Sequence, residues 1–395
     1  MRILMAHNFY QIPGGEDTVF RSEYELLKTY GEEVFPYERH NNEINQFHFI
    51  GKASHFLSAD HSRQSYRHLR AALKKTRPHI AHFHNIYYMM TPSVYQACRD
   101  EGVPVVQSLH NYRMVCANGL LYRDGHVCED CLTRNFWEGV KHKCFRNSTA
   151  ATAVMALQMD RLWSRKVWTQ DVDQYIAAAE FTRKKYADCG IPIDKISLKA
   201  HFIYPDEGMR KGHDGYALYL GRLSEEKGVS VLLKAWSGIR DVKLKIAGTG
   251  PLETPLRNFA AENNVGNVEF VGFQSQTECQ KLMERAAVVI IPSVCYENFP
   301  RVVVEAFCRG VGIVASRLGS LAELVEDGKT GLLFKAGDPA DLQRAVIQYF
   351  ENPVRIKEFG SNARMTFEEK YTPQANYETL KGIYQNVINR KVAKN

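Results

Sequence analysis

The sequence predicts an α/β fold made of two domains, each built on a doubly wound parallel sheet. Short β-branched apolar runs alternate with helical patterns along nearly the whole chain, which is typical of parallel sheets covered by helices on both faces. The 395 residues, 45% of them apolar, suffice for two domains that each have a full core. A stretch rich in Gly, Pro and Asp at Tyr204–Tyr216 has the composition of a linker between them.

Apolar runs with β-branched residues are predicted as twelve strands, six in each half of the chain. In the front half they are Ile3–Ala6, Glu33–Phe35, His79–Phe83, Pro104–Leu109, Gln174–Ala178 and Lys195–Leu198. In the back half they are Tyr216–Leu220, Val242–Ile246, Val268–Val271, Val288–Ile291, Gly312–Ala315 and Gly331–Phe334. The chain from Ala340 onward is predicted as helices that break near Pro353 and Pro373. The expected domains are residues 1–205 and 206–372, followed by a C-terminal helix at 373–395.

Composition and charge exclude several protein classes. No window approaches the ~18 consecutive apolar residues that a membrane-spanning helix needs. The N-terminal segment is predicted as a strand and turns polar too early for a signal peptide, so we expect a cytoplasmic protein. Because the nine cysteines would then be in a reducing compartment, they do not indicate a disulfide framework. The net charge of +7 permits an anionic partner such as a phosphate or a membrane surface without requiring one.

A turn with a cation near each end follows the strand Tyr216–Leu220. It runs from Gly221 to Gly228 and contains Arg222 and Lys227, directly before a helical pattern. A guanidinium can bind two phosphate oxygens at once, an ammonium adds a point charge, and a helix N-terminus adds N–H donors. The turn therefore suits a diphosphate. The alternative is an ordinary loop with two solvated cations.

Two carboxylates eight residues apart follow the strand Val288–Ile291. Glu297 is expected in the loop, and Glu305 in the second turn of a helix that Pro300 begins. A carboxylate at this place can accept hydrogen bonds from two vicinal hydroxyls, as acidic residues do with ribose in dinucleotide sites. Backbone N–H groups near Asn298 and Phe299 could face a phosphate or a sugar hydroxyl. A surface position is the alternative for Glu305, although its neighbours are apolar.

The front half carries weaker signals at the ends of its predicted strands. Gly14 and Gly15 precede a helix, and two glycines let a backbone approach a ligand closely. His110 follows one strand, and His84 lies in the same way after the strand before it. Ligands of open parallel sheets bind beyond the carboxyl ends of the strands, so His110 is a candidate site residue. A flexible turn and structural histidines are the alternatives.

Several sequence motifs of other enzymes are incomplete or missing. Gly248-Thr249-Gly250 begins like a dinucleotide fingerprint, but Glu253 stands where its last glycine belongs. Gly328-Lys329-Thr330 ends like a P-loop, but Glu323 stands where its first glycine belongs. Neither Gly-x-Ser-x-Gly nor His-Glu-x-x-His occurs. These observations argue against a dehydrogenase, an NTPase, a serine hydrolase and a zinc protease.

Taken together, these motifs resemble the retaining glycosyltransferases of family four, the group 1 glycosyltransferases, which have the GT-B fold. The resemblance covers nearly the whole chain, and its most specific part is the Glu297–Glu305 pair beside the Gly221–Gly228 turn. It implies two Rossmann-like domains that face a cleft, the first binding the acceptor and the second binding a nucleotide sugar. It also implies a C-terminal helix that crosses back to pack on the first domain.

The resemblance also implies roles for individual residues. Arg222 and Lys227 would hold the diphosphate of a UDP- or GDP-type donor. Glu305 would bind the ribose of that donor, and Glu297 would bind the transferred sugar. The implied catalytic residues are His110, Glu297, Arg222 and Lys227, and the implied donor-binding residues are Gly14, Gly15, Arg222, Lys227, Glu297, Asn298, Phe299, Pro300 and Glu305. The implied reaction is hexosyl transfer with retention, without a catalytic metal, to a glycan or lipid-diphosphate-linked acceptor in cell-surface polysaccharide biosynthesis.

A cysteine-rich segment follows His110. Its four cysteines are Cys116, Cys128, Cys131 and Cys144, and the middle two form a Cys-x-x-Cys motif. Four such thiolates are typical of a structural zinc site. Zinc would staple a long loop, Ala117–Arg146, that we expect to lack regular structure. An iron–sulfur centre and four reduced core thiols are the alternatives.

A basic helix face is predicted between the second and third strands. Arg63, Arg67, Arg70 and Lys74 are spaced four, three and four residues apart, which places them on one side of a helix. Such a face is either simply solvated or in contact with anionic lipid headgroups or a lipid-diphosphate acceptor. We therefore expect a cytoplasmic protein that can lie on the inner membrane surface.

Two other functions remain compatible with these features. One is a nucleotide-sugar epimerase on the same two-domain fold, which would need no acceptor. The other is a basic, zinc-containing nucleic-acid binder, but the sequence lacks an aromatic-basic strand motif for it, so we expect no nucleic-acid partner.

Overall fold

The computed structural model describes residues 1–11, 14–46, 48, 56 and 60–393. The chain divides into two compact units. The first contains Met1–Leu121, Glu129–Ala200 and the C-terminal segment from Pro373, and the second contains Tyr122–Cys128 and His201–Thr372.

A parallel six-stranded sheet forms the centre of the first unit. Its strands are β1 (Arg2–Phe9), β2 (Glu33–His40), β3 (Ile80–Asn85), β4 (Val105–Ser108), β7 (Gln174–Ala177) and β8 (Ile196–Leu198). Their order in the sheet is β2-β1-β3-β4-β7-β8, and every neighbouring pair is parallel. The described helices of this unit are α1 (Gly15–Thr29), α2 (Arg63–Thr76), α3 (Ser93–Asp100), α4 (Trp137–Lys141), α5 (Thr149–Ser164), α6 (Glu180–Asp188) and α14 (Pro373–Val392). The apolar residues of β1, β3 and β4 are fully buried, as strands covered on both faces must be.

The second unit has a parallel sheet of the same size. Its strands are β9 (Tyr216–Leu220), β10 (Leu244–Ala247), β11 (Val268–Gly272), β12 (Ala286–Ile291), β13 (Gly312–Ser316) and β14 (Gly331–Phe334). They follow the order β11-β10-β9-β12-β13-β14. The helices are α7 (Val229–Trp236), α8 (Glu253–Glu262), α9 (Gln276–Arg285), α10 (Arg301–Cys308), α11 (Gly319–Leu324), α12 (Pro339–Phe350) and α13 (Pro353–Lys370). Trp236 and Phe334 are completely buried in the core that packs this sheet against its helices.

The structure confirms the predicted fold class and all twelve predicted strands, with boundaries that move by a few residues. The tail is helical with breaks at the expected places, because Asn352 caps α13 with Pro353 directly after it, and α14 begins at Pro373. None of the described helices combines the length and the apolarity needed to cross a membrane.

The prediction that the cysteine-rich segment lacks regular structure is wrong. Tyr122–Arg123 (β5) and His126–Val127 (β6) pair as an antiparallel hairpin, and helix α4 follows. The turn between the two strands is Asp124-Gly125, and both residues have positive φ values of 51° and 82°. Asp-Gly at this position favours a tight hairpin turn, so the signal was present in the sequence.

Helix α14 joins the first unit through polar contacts as well as apolar ones. The Tyr384 hydroxyl lies 2.7 Å from Nδ1 of His82 on β3. The ring of Tyr377 stacks on Tyr30 at 4.0 Å between centroids, and its hydroxyl donates to Glu32. The C-terminal helix therefore completes the buried polar layer of this unit.

Candidate active site

The strand order of each sheet indicates where a ligand binds. In the second unit the order reverses between β9 and β12, and in the first unit it reverses between β1 and β3. The loops on either side of such a switch point diverge and leave a crevice at the carboxyl ends of the strands. The turn Gly221–Gly228 follows β9 and the segment Pro292–Pro300 follows β12, so two of the predicted motifs flank the switch point of the second sheet.

Close packing of the backbone fixes the shape of the turn after β9. Gly228 has φ +67°, and a Cβ at this position would lie 1.8 Å from the carbonyl oxygen of Pro292. Gly248, after β10, is packed as tightly, since a Cβ there would lie 1.9 Å from the carbonyl oxygen of Gly221. Only glycine fits at these places. The incomplete Gly-x-Gly motif at Gly248 thus supports the turn that carries Arg222 and Lys227.

Lys227 and Glu297 form an ion pair across the switch point. The Lys227 ammonium donates to Glu297 Oε1 at 2.7 Å, and the Ser293 hydroxyl donates to the same oxygen at 2.6 Å. The Ser320 hydroxyl donates to the main-chain carbonyl of Glu297 at 2.6 Å. Glu297 is therefore held from the β9, β12 and β13 sides of the sheet.

Both members of the pair stay charged near neutral pH. Burial alone would lower the pKa of Lys227, but the adjacent Glu297 carboxylate outweighs it and raises that pKa. Burial would likewise raise the pKa of Glu297, but Lys227 and the hydrogen bond from Ser293 lower it. The pair places one fixed positive and one fixed negative group at the mouth of the crevice.

Arg222 is the second cation of the turn and is exposed. The Tyr219 hydroxyl donates to its main-chain carbonyl at 2.8 Å, which holds the backbone in place. Within the described part of the chain, its guanidinium makes no hydrogen bond or ion pair. Its five N–H donors are accordingly available to an anion.

The structure places Glu305 apart from that ion pair. It pairs with Arg301 of the same helix at 3.4 Å. It also lines a small cavity with Cys279 and Met283 of α9 and with Pro205 of the linker. In the described residues, Glu305 has no hydrogen bond or ion pair with Arg222 or Lys227. The expectation that the three side chains share one pocket therefore stays a prediction.

The residues between the two carboxylates contribute mainly backbone. The Phe299 side chain is buried and packs edge-on against His201 and Tyr371, with centroid distances of 4.9 and 6.2 Å. Asn298 is half-buried beside it. Pro300 is the N-cap of α10 in an extended conformation, so the helix begins at Arg301.

At the switch point of the first unit, Gly14 caps α1. Its N–H donates to Asp17 Oδ2 at 2.8 Å, and Asp17 Oδ1 lies 2.7 Å from Nε2 of the buried His7. A Cβ on Gly14 or Gly15 would meet nothing within 4 Å. Packing within the protein therefore does not require glycine here, in contrast to Gly228.

His110 belongs to a chain of buried polar side chains. Its Nε2 lies 3.1 Å from Nδ1 of His84, and Nε2 of His84 faces Glu23 Oε2 at 3.5 Å. The other Glu23 oxygen accepts from the ammonium of Lys199. Burial, with added effects of His7 and Lys199, lowers the pKa of His110 to about 3. His110 is therefore a neutral imidazole at physiological pH.

A second cluster surrounds Arg113 in the same unit. The guanidinium lies 5.7 Å from the ring centroid of Tyr10 and 5.8 Å from that of Tyr88, and it donates to the Tyr88 hydroxyl at 3.2 Å. Glu16, at the start of α1, accepts from Asn111 at 3.4 Å. Burial and the neighbouring Asp17 raise the pKa of Glu16 to about 7, against the opposing effect of Arg113. This carboxyl therefore titrates near neutral pH.

Comparison with known proteins agrees with this architecture. Residues 204–366 match the family model for glycosyl transferases group 1. An uncharacterized glycosyltransferase of Methanocaldococcus jannaschii is 24% identical over 318 residues, which cover 78% of this chain and 83% of that protein. The phosphatidyl-myo-inositol mannosyltransferase of Mycobacterium leprae is 30% identical over 233 residues, which cover 55% of this chain and 59% of that protein.

Over residues 204–366 the chain is thus similar to the group 1 glycosyltransferases.

Solved structures of glycosyltransferases show the same GT-B fold. Sucrose-phosphate synthase from Thermosynechococcus elongatus matches 99% of this chain and 100% of its own, with a TM-score of 0.70 and 16% identity. Anabaena HepE in complex with UDP-glucose matches 98% of this chain and 100% of its own, with a TM-score of 0.65 and 15% identity. The fold expected from the sequence is thereby confirmed.

The structure does not support a zinc site at the cysteines. Cys116, Cys131 and Cys144 belong to the first unit, and among the described residues no three cysteine sulfurs lie within 4.8 Å of one another. The Cys116 thiol instead donates to Asn118 at 3.0 Å. Thiolate coordination needs the sulfurs gathered around one point, so the zinc prediction finds no support in the structure.

A different trio brings possible metal ligands together. One atom each of Glu23, His82 and His84 lies within 4.8 Å of the other two. Both ring nitrogens of His82 are already engaged, by Tyr384 at 2.7 Å and Ser108 at 2.8 Å. The ammonium of Lys199 contacts Glu23 and would repel a cation. The trio is better explained as a hydrogen-bonded network.

The first unit also has the predicted basic helix, α2. Arg70 lies 2.5 Å and Lys74 3.7 Å from Glu101, so part of the basic face is neutralised within the unit. Arg63 and Arg67 are exposed. The spacing of the basic residues predicts the face but not its acidic partner, because Glu101 lies 31 positions after Arg70 in the chain.

Proposed function

We propose that this protein is a retaining glycosyltransferase that moves a hexosyl group from a UDP- or GDP-type nucleotide sugar to a glycan or lipid-diphosphate-linked acceptor in cell-surface polysaccharide biosynthesis. The observation that carries the proposal is the placement of Lys227, Glu297 and the exposed Arg222 at the switch point of the second sheet. In this proposal the second unit binds the donor, and the first unit binds the acceptor and supplies His110.

The charges of the donor explain why these residue types suit it. When the bond between the anomeric carbon and the phosphate oxygen breaks, its electron pair stays on the diphosphate, which gains negative charge. Arg222 and Lys227 would stabilise that charge from fixed positions, with the N–H groups that precede α7 behind them. Two cations can supply what Mg²⁺ supplies elsewhere, and we therefore propose that catalysis needs no metal.

Glu297 would act on the other half of the donor. Its carboxylate stays charged through the contact with Lys227 and can accept hydrogen bonds from hydroxyls of the transferred sugar. A diphosphate that draws Lys227 toward itself would still leave Glu297 oriented by Ser293 and Ser320. Glu305 is proposed as the acceptor for the ribose hydroxyls, on the resemblance to the family.

Retention follows if the acceptor attacks the face that the diphosphate leaves. The acceptor oxygen forms the new bond to the anomeric carbon, and its proton passes to the departing phosphate oxygen. No protein nucleophile is needed, and the atoms and charges balance. This route is the one that the family resemblance implies for the chain.

The Arg113 cluster supports an acceptor that bears a phosphate. Arg113 presents a cation between Tyr10 and Tyr88, and a guanidinium flanked by aromatic rings suits both a phosphate and a stacked sugar ring. The Mycobacterium leprae relative is named as a mannosyltransferase of phosphatidyl-myo-inositol, which is a phospholipid. Arg63 and Arg67 on α2 are proposed to bring the protein to the anionic cytoplasmic face of the membrane.

Incubation of the purified protein with a panel of UDP- and GDP-sugars, with and without lipid-diphosphate sugars, tests the proposal. The expected result is acceptor-dependent release of nucleoside diphosphate and an anomeric configuration that matches the donor, both unchanged by EDTA. A sugar converted without any acceptor would instead indicate an epimerase. No turnover of any nucleotide sugar would contradict the proposal.

A further inference from the structure

A line of three buried side chains leads from the C-terminal edge of the first sheet to His110. Lys199 donates to Glu23 Oε1, Glu23 Oε2 faces His84 Nε2 at 3.5 Å, and His84 Nδ1 lies 3.1 Å from His110 Nε2. Lys199, Glu23 and His84 are all less than 5% exposed. The rings of His84 and His110 stack with 15° between their planes.

The protonation states along this line follow from burial and charge. Burial lowers the pKa of His84 well below its usual range, and His82, His110 and Lys199 add to the effect. Burial also lowers the pKa of His110 to about 3. Each of the two rings is therefore neutral and carries one N–H and one lone pair. Lys199 and Glu23 form an ion pair at the other end.

Only two arrangements of those N–H groups are consistent with the 3.1 Å contact between the rings. In the first, His84 carries its proton on Nε2, facing Glu23, and its Nδ1 accepts from Nε2–H of His110. In the second, His84 donates from Nδ1 to His110, and its Nε2 lone pair faces the carboxylate. Glu23 Oε2 and His84 Nε2 face each other at 3.5 Å. Neither atom has another hydrogen-bond partner among the described residues.

The second arrangement is unfavourable on two counts. It leaves a buried carboxylate oxygen without a donor, and it places a lone pair against a negative charge in a poorly screened interior. The first arrangement gives Glu23 a donor on each oxygen. The negative charge of Glu23 therefore selects the tautomer of His84, and His84 in turn selects the tautomer of His110.

We propose that Glu23 and His84 are positioning residues that hold His110 as the Nε2–H tautomer, so that Nδ1 of His110 accepts a hydrogen bond from a hydroxyl of the substrate sugar. The sugar part of this inference rests on the proposed function. The tautomer part rests on the contacts alone. His82 lies outside the relay, because its two nitrogens bind Tyr384 and Ser108 instead.

Nitrogen-15 NMR of histidine-labelled protein tests the tautomer without any substrate, since protonated and unprotonated ring nitrogens resonate far apart. The signals of His84 and His110 are assigned from the variants His84→Gln and His110→Gln. In the unsubstituted protein we expect His110 to carry its proton on Nε2. A proton on Nδ1 of His110, or a charged His110 at pH 7, would overturn the proposal.

The double variant Glu23→Gln/Lys199→Met removes both charges together and so avoids an unpaired buried ion. We expect the His110 tautomer to become mixed and kcat/KM for the donor to fall about 10–100-fold, as the loss of a hydrogen bond in the transition state would cause. Binding of the nucleoside diphosphate alone should stay unchanged. The control Tyr384→Phe removes only the contact to His82. It should leave the His110 tautomer unchanged and change kcat/KM by less than about twofold.

The two parts of the inference fail in different ways. An unchanged tautomer or unchanged kcat/KM in the folded double variant would overturn the positioning role. The expected tautomer in a protein that turns over no nucleotide sugar would confirm the relay and contradict the proposed function instead.

Discussion

The Lys227 ammonium lies 2.7 Å from the Glu297 carboxylate, although the two residues are 70 positions apart in the chain. They meet because β9 and β12 are hydrogen-bonded neighbours in the parallel sheet, and both side chains follow the carboxyl ends of those strands. Lys227 is about one-third exposed, at 32%, whereas Glu297 is mostly buried, at 12%. The cation is thus the member of the pair that an incoming anion reaches first.

Replacement of Lys227 by alanine should reduce kcat about 100–1000-fold, the range seen when one preorganised donor to a developing oxyanion is removed. The matched control is Lys234→Ala, which removes an exposed lysine from the last turn of α7. Steady-state kinetics of the two variants, with circular dichroism to check folding, measures the difference. Equal turnover in both variants would remove Lys227 from the mechanism.

Replacement of Gly228 by alanine should destabilise the protein by about 3 kcal/mol or more, because the new Cβ would clash with Pro292 and the backbone has a positive φ. Gly266→Ala, in the same unit, is the control, since a Cβ there meets nothing within 4 Å. It should change the free energy of unfolding by less than about 1 kcal/mol. Denaturant titration measures both, and similar stabilities would contradict the packing described here.

Replacement of Gly15 by alanine should have the opposite profile. A Cβ at Gly15 meets no protein atom, so the free energy of unfolding should stay unchanged or rise by about 0.5–1 kcal/mol. If a substrate approaches this backbone closely, its KM should rise about tenfold. Thermal unfolding and kinetics of the same preparation separate the two effects. A loss of stability without a change in KM would show that the glycine is structural.

Glu16 should make stability depend on pH between about 4.5 and 7. Burial raises its folded-state pKa to about 7, from 4.5 for an ordinary glutamate. The folded protein thus binds more protons than the unfolded chain in that window, and this contribution to stability is lost as the pH rises. Glu16→Gln should remove that slope, so the variant gains stability relative to the unsubstituted protein between pH 5 and 8. Parallel curves from urea titrations would contradict the raised pKa.

The sequence was sufficient to predict the fold and the positions of the loops that carry Lys227 and Glu297. Alternating strands and helices fix both sheets, and the spacing of Glu297 after its strand places it at the same edge as Lys227. The hydrogen bonds from Ser293 and Ser320 could not be predicted, because they depend on how two loops pack.

The histidine relay is a second feature that sequence reasoning missed. Glu23 and Lys199 lie 176 residues apart, and neither belongs to a recognisable motif. The only sequence feature that marks His84 is its position after a predicted strand. Spacing places residues on a strand or a helix face, but buried charge pairs between distant elements depend on tertiary packing. The zinc prediction finds no support for the same reason, since the spacing of four cysteines does not decide whether their sulfurs meet.

The most direct test of the central claim is the affinity of the protein for UDP and GDP, measured by calorimetry. The account predicts that Arg222→Ala/Lys227→Ala weakens binding of the preferred nucleotide about 100-fold or more, since each cation contributes charge-assisted hydrogen bonds. The Lys234→Ala control should bind as tightly as the unsubstituted protein. Equal affinity in the double variant and the control would show that the diphosphate binds elsewhere.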